Sequence, residues 1–263
     1  MLLGNNLISL LGVKAHDTAA VQWLYNAEDI IGNIFIGAAL LVAFRIMNRH
    51  RPFSDVGFPR LCSREIRKLL LGMLIGAASI AVIAAVLVFA GAASFEKHSP
   101  DFGLIGFFIM FVSVGFIEET MTRGVLQHTL QKHCGVIVAV AAPSLFFGFI
   151  HINNAGLSIL SMINIILAGI LLALLTYASG SIYAAIGFHT TWNFFQGCVF
   201  GSPVSGNIMS QSSLLLEKPH DGMTSWLTGG SFGFEGTVFC SVIYLITILA
   251  ILIWHCHNEK IKI

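Results

Sequence analysis

Six polar side chains interrupt long apolar stretches of this sequence, and they are of types that can catalyse hydrolysis. Placing an ionisable side chain at the centre of a membrane helix costs at least about 2.5–3.5 kcal/mol, so such residues are usually functional and partnered. Carboxylates and imidazoles can transfer protons, and amide side chains can donate hydrogen bonds. We therefore predict that the six form an active site. They are Glu118, Glu119, Arg123, His151, His189 and Asn193.

The first three residues lie close together in the segment Phe116-Ile-Glu-Glu-Thr-Met-Thr-Arg-Gly124. Glu119 and Arg123 are four residues apart, so they share a helix face and can form an ion pair. Glu118 is turned by about 100° from Glu119 around the helix, so it faces another direction. We predict that Glu119 and Arg123 are a structural pair and that Glu118 is free for catalysis.

The two histidines come from later segments. His151 ends an aromatic-rich run, and Phe147, one turn before it on the same face, is a candidate for lining the site. His189 and Asn193 are four residues apart, so both can donate hydrogen bonds to one point. Taken singly, His151 also fits an interfacial residue, and the His189 pair also fits hydrogen bonding between membrane helices. Trp192 lies near the His189 face, where it either lines the site or packs against a neighbouring helix.

Helix geometry places Glu118 and His151 at the same depth. Glu118 lies 16 residues before Cys134, and His151 lies 16 residues after Gly135, where we predict a turn. In an antiparallel hairpin both are therefore about 24 Å from that turn. His189 reaches the same level if the helix carrying Glu118 extends about 10 Å beyond the membrane. This arrangement predicts a site in the cytoplasmic half of the bilayer.

The composition of the chain indicates a membrane protein. The 263 residues are 56% hydrophobic and 10% charged, whereas soluble domains carry about 25% charged residues. The apolar residues form runs long enough to cross a bilayer, which takes roughly 20 residues per helix. We predict an all-α, polytopic transmembrane bundle of about seven to eight spans, in a single membrane domain of residues 1–263. Seven spans lie roughly at 30–47, 69–93, 102–126, 136–151, 157–178, 182–199 and 236–255.

Lysine and arginine residues orient the bundle, because they gather on the cytoplasmic side of short loops. Seven of the 14 lie between residues 45 and 68, ahead of the second span. We therefore predict that this loop is cytoplasmic, together with the turns at 132–135 and 179–181 and the C-terminus. The N-terminus is then outside, unless residues 2–13 insert as an eighth span.

Other segments carry little recognisable chemistry. Residues 201–235 are predicted to form a loop or a re-entrant piece, with Glu235 in solvent. The five cysteines have no Cys-x-x-Cys spacing, and we expect buried, reduced thiols. Residues 1–13 lack a basic segment and a cleavage site, so we expect an interfacial helix rather than a signal peptide. The net charge of +1 implies no nucleic-acid partner.

Three motifs, in this order on apolar helices, resemble those of the CAAX protease and bacteriocin-processing family of intramembrane endopeptidases, also known by its Abi domain. The resemblance covers about residues 100–200, the predicted core, and implies that Glu119 and Arg123 are a structural pair. The motifs are Glu118-Glu119-xxx-Arg123, Phe147-xxx-His151 and His189-xxx-Asn193.

The resemblance also implies how the remaining residues act. It matches Glu118 to the catalytic glutamate, His151 to a histidine beside the water, and His189 with Asn193 to the oxyanion side. Amide hydrolysis requires an activated water, a proton for the leaving amine and a stabilised oxyanion, and these residue types can provide all three. We therefore predict an endopeptidase that cleaves membrane-associated or lipidated peptides and proteins without a cofactor.

Zinc is the alternative cofactor. Glu118, His151 and His189 would supply one carboxylate and two imidazoles, with an open fourth position. The His-Glu-x-x-His helix motif is absent, and Asn193 is a poor zinc ligand but a good hydrogen-bond donor. These features favour the metal-free mechanism, with a zinc protease using the same residues as the second hypothesis.

Two other classes also use buried polar residues. A proton-coupled transporter needs a second polar cluster for access from the other side, and the fifth span offers little beyond Asn164. A non-catalytic scaffold or immunity protein would have damaged motifs, and these are intact. The expected partners are a peptide or protein substrate in the membrane and the lipid bilayer. The short chain without a eukaryotic targeting signal favours a bacterial inner or plasma membrane.

Overall fold

The chain folds into a bundle of apolar helices in the computed structural model, as predicted. The structure describes residues 57–99, 103–208, 213–220 and 222–261, with short pieces between 30 and 54. The elements are α1 (Ser63–Phe89), β1 (Ala93–Lys97), α2 (Gly103–Glu119), α3 (His128–Ile150), α4 (Ile159–Ser179), α5 (Ile182–Phe194), β2 (Leu215–Pro219), α6 (Ser225–Thr228) and α7 (Val238–Ile261). Two π-helical segments, Thr120–Gln127 and Phe195–Val199, extend α2 and α5.

Four helices in the described part of the chain are long and apolar enough to cross a membrane: Ser63–Phe89, Gly103–Ile150, Ile159–Ser179 and Val238–Asn258. The predicted count of seven to eight spans is therefore not confirmed. Two predicted spans merge into the 48-residue stretch, and α5 has only 13 residues. The predicted first span is described only in pieces, and residues 2–13 lie outside the described residues.

The long stretch from Gly103 to Ile150 is nevertheless a hairpin. Gly135 has a φ of 79° and a ψ of 174°, which interrupts the helical path. Glycine adopts a positive φ readily because it has no Cβ. The guanidinium of Arg123 lies 4.7 Å from the centroid of the Phe147 ring, so the chain after Gly135 returns along the chain before it. The turn is thus at the predicted position.

The helix α5 occupies the centre of the bundle because glycines allow α1 to approach it closely. A Cβ at Gly72 would lie 2.0 Å from the carbonyl oxygen of Ala184, and one at Gly76 would lie 2.4 Å from that of Phe188. Small residues spaced by four bring helix backbones together in membranes. Nearly all residues of α5 are buried as a result, including the two that the sequence assigned to the site.

One end of the bundle is covered by the segment after α5. Here β1 pairs with β2 in antiparallel register, with Phe95 opposite Glu217. The predicted loop or re-entrant piece at 201–235 contains β2, α6 and 3-10 turns at Gly230–Phe232 and Phe234–Gly236. These elements pack on the ends of the helices, and the turn at Phe234–Gly236 places Glu235 in a cavity between the helices.

The close packing of α1 on α5 predicts that Gly76→Ala lowers the midpoint of thermal unfolding in detergent. The new Cβ would lie 2.4 Å from the Phe188 carbonyl oxygen and 2.6 Å from Thr191 Oγ1, and such overpacking costs about 1–3 kcal/mol. Gly32→Ala is the matched control, because Gly32 is also helical and a Cβ there meets no atom within 4 Å. Equal midpoints for the two variants would contradict the close packing.

Glu217 predicts a pH dependence of stability. Its side chain is buried in β2, and burial raises the pKa of its carboxyl from 4.5 to about 7, only partly offset by the nearby Ser202 hydroxyl, which lowers it. Between these two pH values the unfolded chain loses the proton while the folded protein keeps it, so stability falls as the pH rises. Thermal unfolding of wild type and Glu217→Gln from pH 4.5 to 7.5 tests this. The difference in unfolding midpoint between wild type and Glu217→Gln should change only between pH 4.5 and about 7. A difference that stays constant over the whole pH range would contradict the raised pKa of Glu217.

Candidate active site

A cavity of about 440 Å³ lies among α2, α3, α4, α5 and α7. Its wall combines apolar side chains with polar groups that converge on the same space, as in small-molecule and substrate sites. Two of the eight residues singled out by the sequence, Glu119 and Arg123, lie behind the wall. The other six line it: Glu118, Phe147, His151, His189, Trp192 and Asn193.

Behind the cavity, Arg123 ties α2 to its two neighbours. Arg123 is fully buried, and its Nη1 donates a hydrogen bond to Glu119 Oε1 at 3.2 Å. Its Nη2 donates to the carbonyl oxygen of Gly169 in α4 at 3.0 Å. Its guanidinium also lies over the ring of Phe147 in α3, a favourable cation–π contact. A buried ion pair needs such additional partners to offset the loss of water.

The same Glu119 oxygen also holds His189. The Nδ1 atom of His189 lies 2.9 Å from Glu119 Oε1. Because an ionised carboxylate only accepts hydrogen bonds, Nδ1 is the donor. The second nitrogen, Nε2, lies 3.9 Å from Glu118 Oε2. Sequence reasoning gave Glu119 one partner, Arg123, and missed the bond to His189, since two residues 70 positions apart carry no spacing signal.

The backbone of this region departs from the α-helix on which the sequence reasoning relied. Residues Thr120–Gln127 are π-helical, a conformation that is rare and frequent at functional sites. The hydroxyl of Thr120 donates to the carbonyl of Phe116, and that of Thr122 donates to the carbonyl of Glu118, both at 2.5 Å. Such bonds compete with regular helical hydrogen bonding and often bend helices.

Glu118 is the carboxylate that faces the cavity. Its side chain is 25% exposed, and its Oε2 atom is buried with no hydrogen-bond partner among the described residues. Buried polar atoms are nearly always hydrogen-bonded, so an orphaned oxygen indicates a position for a water or a substrate group. Glu118 is therefore available for a proton transfer, whereas Glu119 is engaged by two partners.

His151 lies at the end of α3 with a fixed ring orientation. Its Nδ1 lies 2.7 Å from the carbonyl oxygen of Phe147. A carbonyl oxygen only accepts, so Nδ1 carries the proton, and Nε2 is an acceptor in the neutral ring. The ring packs against that of Phe147, with centroids 4.7 Å apart. His151 thus offers a proton acceptor to the cavity.

Asn193 and Trp192 extend the wall one turn beyond His189. Asn193 is 7% exposed and lines the cavity. The Trp192 ring stacks between Phe188 and Tyr244, with centroid distances of 5.4 and 4.7 Å. Its Nε1 donates to Glu235 Oε1 at 3.2 Å. Trp192 therefore both lines the site and packs, which combines the two roles that the sequence left open.

Glu235 was predicted to be in solvent, and this prediction is wrong. Its side chain lies in the cavity wall, and the residue is only 7% exposed. Its Oε2 accepts hydrogen bonds from the backbone nitrogen and the hydroxyl of Ser205, at 2.6 and 2.8 Å. Ser205 has a φ of 47°, which is uncommon for a residue with a Cβ and needs support from its surroundings. Position in a Gly-rich segment suggested solvent, but the adjacent Phe234 and the apolar span that follows were signals of burial.

The described residues do not present the alternative zinc set. No group of three or more His, Cys, Asp or Glu side chains in this part of the structure is arranged to hold a metal. His189 directs Nδ1 to Glu119 and Nε2 towards Glu118 at 3.9 Å, somewhat longer than the roughly 3.3 Å between two ligands of one tetrahedral zinc ion. In the described part of the structure Glu118, His151 and His189 are therefore not grouped as a set of zinc ligands.

Residues 99–195 match a family model described as type II CAAX prenyl endopeptidase Rce1-like. The matched segment contains all three motifs, so the resemblance seen in the sequence is confirmed over this part of the chain. The match supports a CAAX-type membrane endopeptidase in general terms. No match was found among curated proteins.

The contacts of Glu235 predict that Glu235→Gln destabilises the protein. The amide replaces one acceptor oxygen with a donor, so at least one buried donor from Ser205 or Trp192 loses its partner, at a cost of about 1–3 kcal/mol. The midpoint of thermal unfolding in detergent should fall. The control is Glu96→Gln, since Glu96 is exposed and 3.6 Å from Lys218, and exposed ion pairs contribute little. Equal midpoints for the two variants would refute this role.

Proposed function

We propose that this chain, with its Rce1-like segment at residues 99–195, is an endopeptidase that hydrolyses peptide bonds of membrane-associated or lipidated peptides and proteins, in a bacterial inner or plasma membrane. One observation carries the proposal. The unpartnered Oε2 of Glu118 and the Nε2 of His189 face each other at 3.9 Å in the cavity. His151 and Asn193 line the same cavity.

In the proposed reaction, Glu118 is the general base. Its Oε2 accepts a proton from a water, assisted by Nε2 of His151, and the oxygen of that water attacks the carbonyl carbon of the peptide bond. The carbon–nitrogen bond then breaks, and the proton passes to the leaving amine. The second proton of the water also passes to the amine, so the products are a carboxylate and an ammonium group, with no covalent intermediate on the enzyme. A positioned general acid or base contributes about 10²–10⁴ in rate.

His189 and Asn193 are proposed to stabilise the oxyanion. Asn193 can donate from its amide, and His189 can donate from Nε2 when the ring is protonated on both nitrogens. The hydrogen bond from Nδ1 to Glu119 keeps the ring orientation fixed, and this preorganisation is what makes such donors effective. Removing one donor of this kind costs about 10²–10³ in kcat in known enzymes.

The behaviour of Glu118→Gln tests the proposal. We expect the variant to lower kcat/KM by about 10²–10⁴ on a panel of fluorogenic, membrane-anchored and lipidated peptides, because the amide cannot accept the proton. Its midpoint of thermal unfolding should equal that of wild type, since Glu118 has no ion pair to lose apart from the long contact with His189. The control Glu96→Gln should keep full activity. Unchanged cleavage by Glu118→Gln would refute the assignment.

The same assay separates this mechanism from the zinc alternative. The zinc content of purified wild type is measured, and cleavage is assayed after chelation and after zinc is added back. The metal-free proposal expects unchanged cleavage after chelation. Activity that is lost with the metal and restored by zinc would replace the proposal with a metalloprotease using the same side chains.

A further inference from the structure

We infer that the cavity opens on the non-cytoplasmic face of the membrane, so that the enzyme cleaves peptide segments exposed on that face. The substrate class rests on the proposed function, whereas the side of access rests on the shape of the cavity and the distribution of charge. The bundle has two ends. The loop end is formed by residues 150–158, 200–208 and 222–237 with the paired strands β1 and β2, and the basic end by residues 57–68, 128–135 and 179–182 with the end of α7.

The cavity extends from Glu118 towards the loop end. In α2 its other wall residues, Met110 to Val114, precede Glu118 and lie closer to the helix start. In α3 the wall consists of Phe147 and the last residues of the helix, and in α7 it includes Tyr244, two turns after the helix start. The starts of α2 and α7 and the end of α3 all lie at the loop end.

Towards the basic end the cavity is closed. The next two turns after Glu118 carry Arg123 and Gln127, which are 0% and 1% exposed. Arg123 Nη2 donates to the carbonyl of Gly169 at 3.0 Å, and Gln127 Nε2 donates to that of Ala173 at 2.9 Å. These two side chains fill the space between α2 and α4 and form the floor. Glu118 is thus at the innermost part of the cavity.

At the loop end the wall is polar and partly exposed. Asn154, Ser205 and Asn207 line it, and Asn154 Nδ2 donates to the carbonyl of Ser205 at 3.0 Å. This bond joins the loop after α3 to the segment after α5. Amide and hydroxyl groups of this kind can hydrogen-bond the backbone of an extended peptide. A peptide entering here reaches Glu118 after passing the apolar wall of α2.

The charge distribution identifies the two faces. Lysine and arginine gather on the cytoplasmic side of short loops. At the loop end, the described residues include Lys97 and Lys218, and Lys218 is 3.6 Å from Glu96. At the basic end, they include Arg60, Arg64, Arg67, Lys68 and Lys132. The basic end is therefore cytoplasmic, and the cavity opens on the opposite face. The sequence predicts a site in the cytoplasmic half of the bilayer, and the proposed entrance reaches that site from the opposite face.

Native cysteines provide the test. Cys134 is exposed at the basic end, and Asn153→Cys introduces a thiol at an exposed position of the loop end. Cys62 and Cys256, which are also exposed, are replaced by serine, whereas Cys198 and Cys240 are buried and remain. A membrane-impermeant maleimide is added to right-side-out and to inside-out membrane vesicles. Labelling in detergent first verifies that both thiols react.

The introduced thiol at position 153 should be labelled in right-side-out vesicles, and Cys134 only in inside-out vesicles. The reverse pattern, or labelling of both thiols from one side, would overturn the inference. In parallel, a fluorogenic peptide is added outside each kind of vesicle, with Glu118→Gln as the control. Cleavage restricted to inside-out vesicles would also overturn the side of access. The expected labelling without cleavage in either preparation would instead count against the proposed function.

Discussion

A single carboxylate oxygen, Oε1 of Glu119, organises the centre of this protein. It accepts hydrogen bonds from Arg123 and His189, and so it joins the helix that carries Glu118 to the helix that carries His189 and Asn193. All three groups are buried, where removing one member of a charge pair costs about 3–5 kcal/mol. Glu119 and Glu118 are adjacent in sequence and have opposite roles because neighbouring side chains on a helix face different directions. Glu119 holds two partners through Oε1 while its Oε2 has none among the described residues, and Glu118 faces the cavity with its own Oε2 unpartnered.

Much of the site was predictable because it depends on local spacing. The three motifs and the hairpin turn placed Glu118 and His151 at one depth, and both line the same cavity. The bond between Glu119 and His189 was not predictable, because it depends on how two distant helices pack. The π-helical turn after Glu119 was also not predicted. Its threonine hydroxyls donate to backbone carbonyls, and threonine in a sequence does not distinguish a π-helical turn from an α-helix.

The fold class followed from composition, but the number of spans did not. Hydropathy identifies apolar segments but does not distinguish a membrane-spanning helix from a short helix buried within the bundle. The helix α5 has only 13 residues and is almost entirely buried. The predicted burial of all five cysteines was wrong for the three at the basic end, Cys62, Cys134 and Cys256. These three lie near helix ends or the turn at Gly135, where a side chain has few neighbours to pack against. The prediction for Glu235 was wrong in the opposite direction. This charged residue of a Gly-rich segment was expected in solvent, but the elements that fold over it bury it.

The two bonds that form the cavity floor have a mechanical consequence. Arg123 and Gln127 are four residues apart, and so are the carbonyls of Gly169 and Ala173 that accept from them. These two hydrogen bonds therefore fix the position of α2 relative to α4 along the helix axis. A slide by one residue would break both contacts, and the next matching position is a full turn, about 5.4 Å, away. Any widening that admits a bulky chain must then come from the returning limb of the hairpin or from the loops, with α2 and α4 acting as one rigid body.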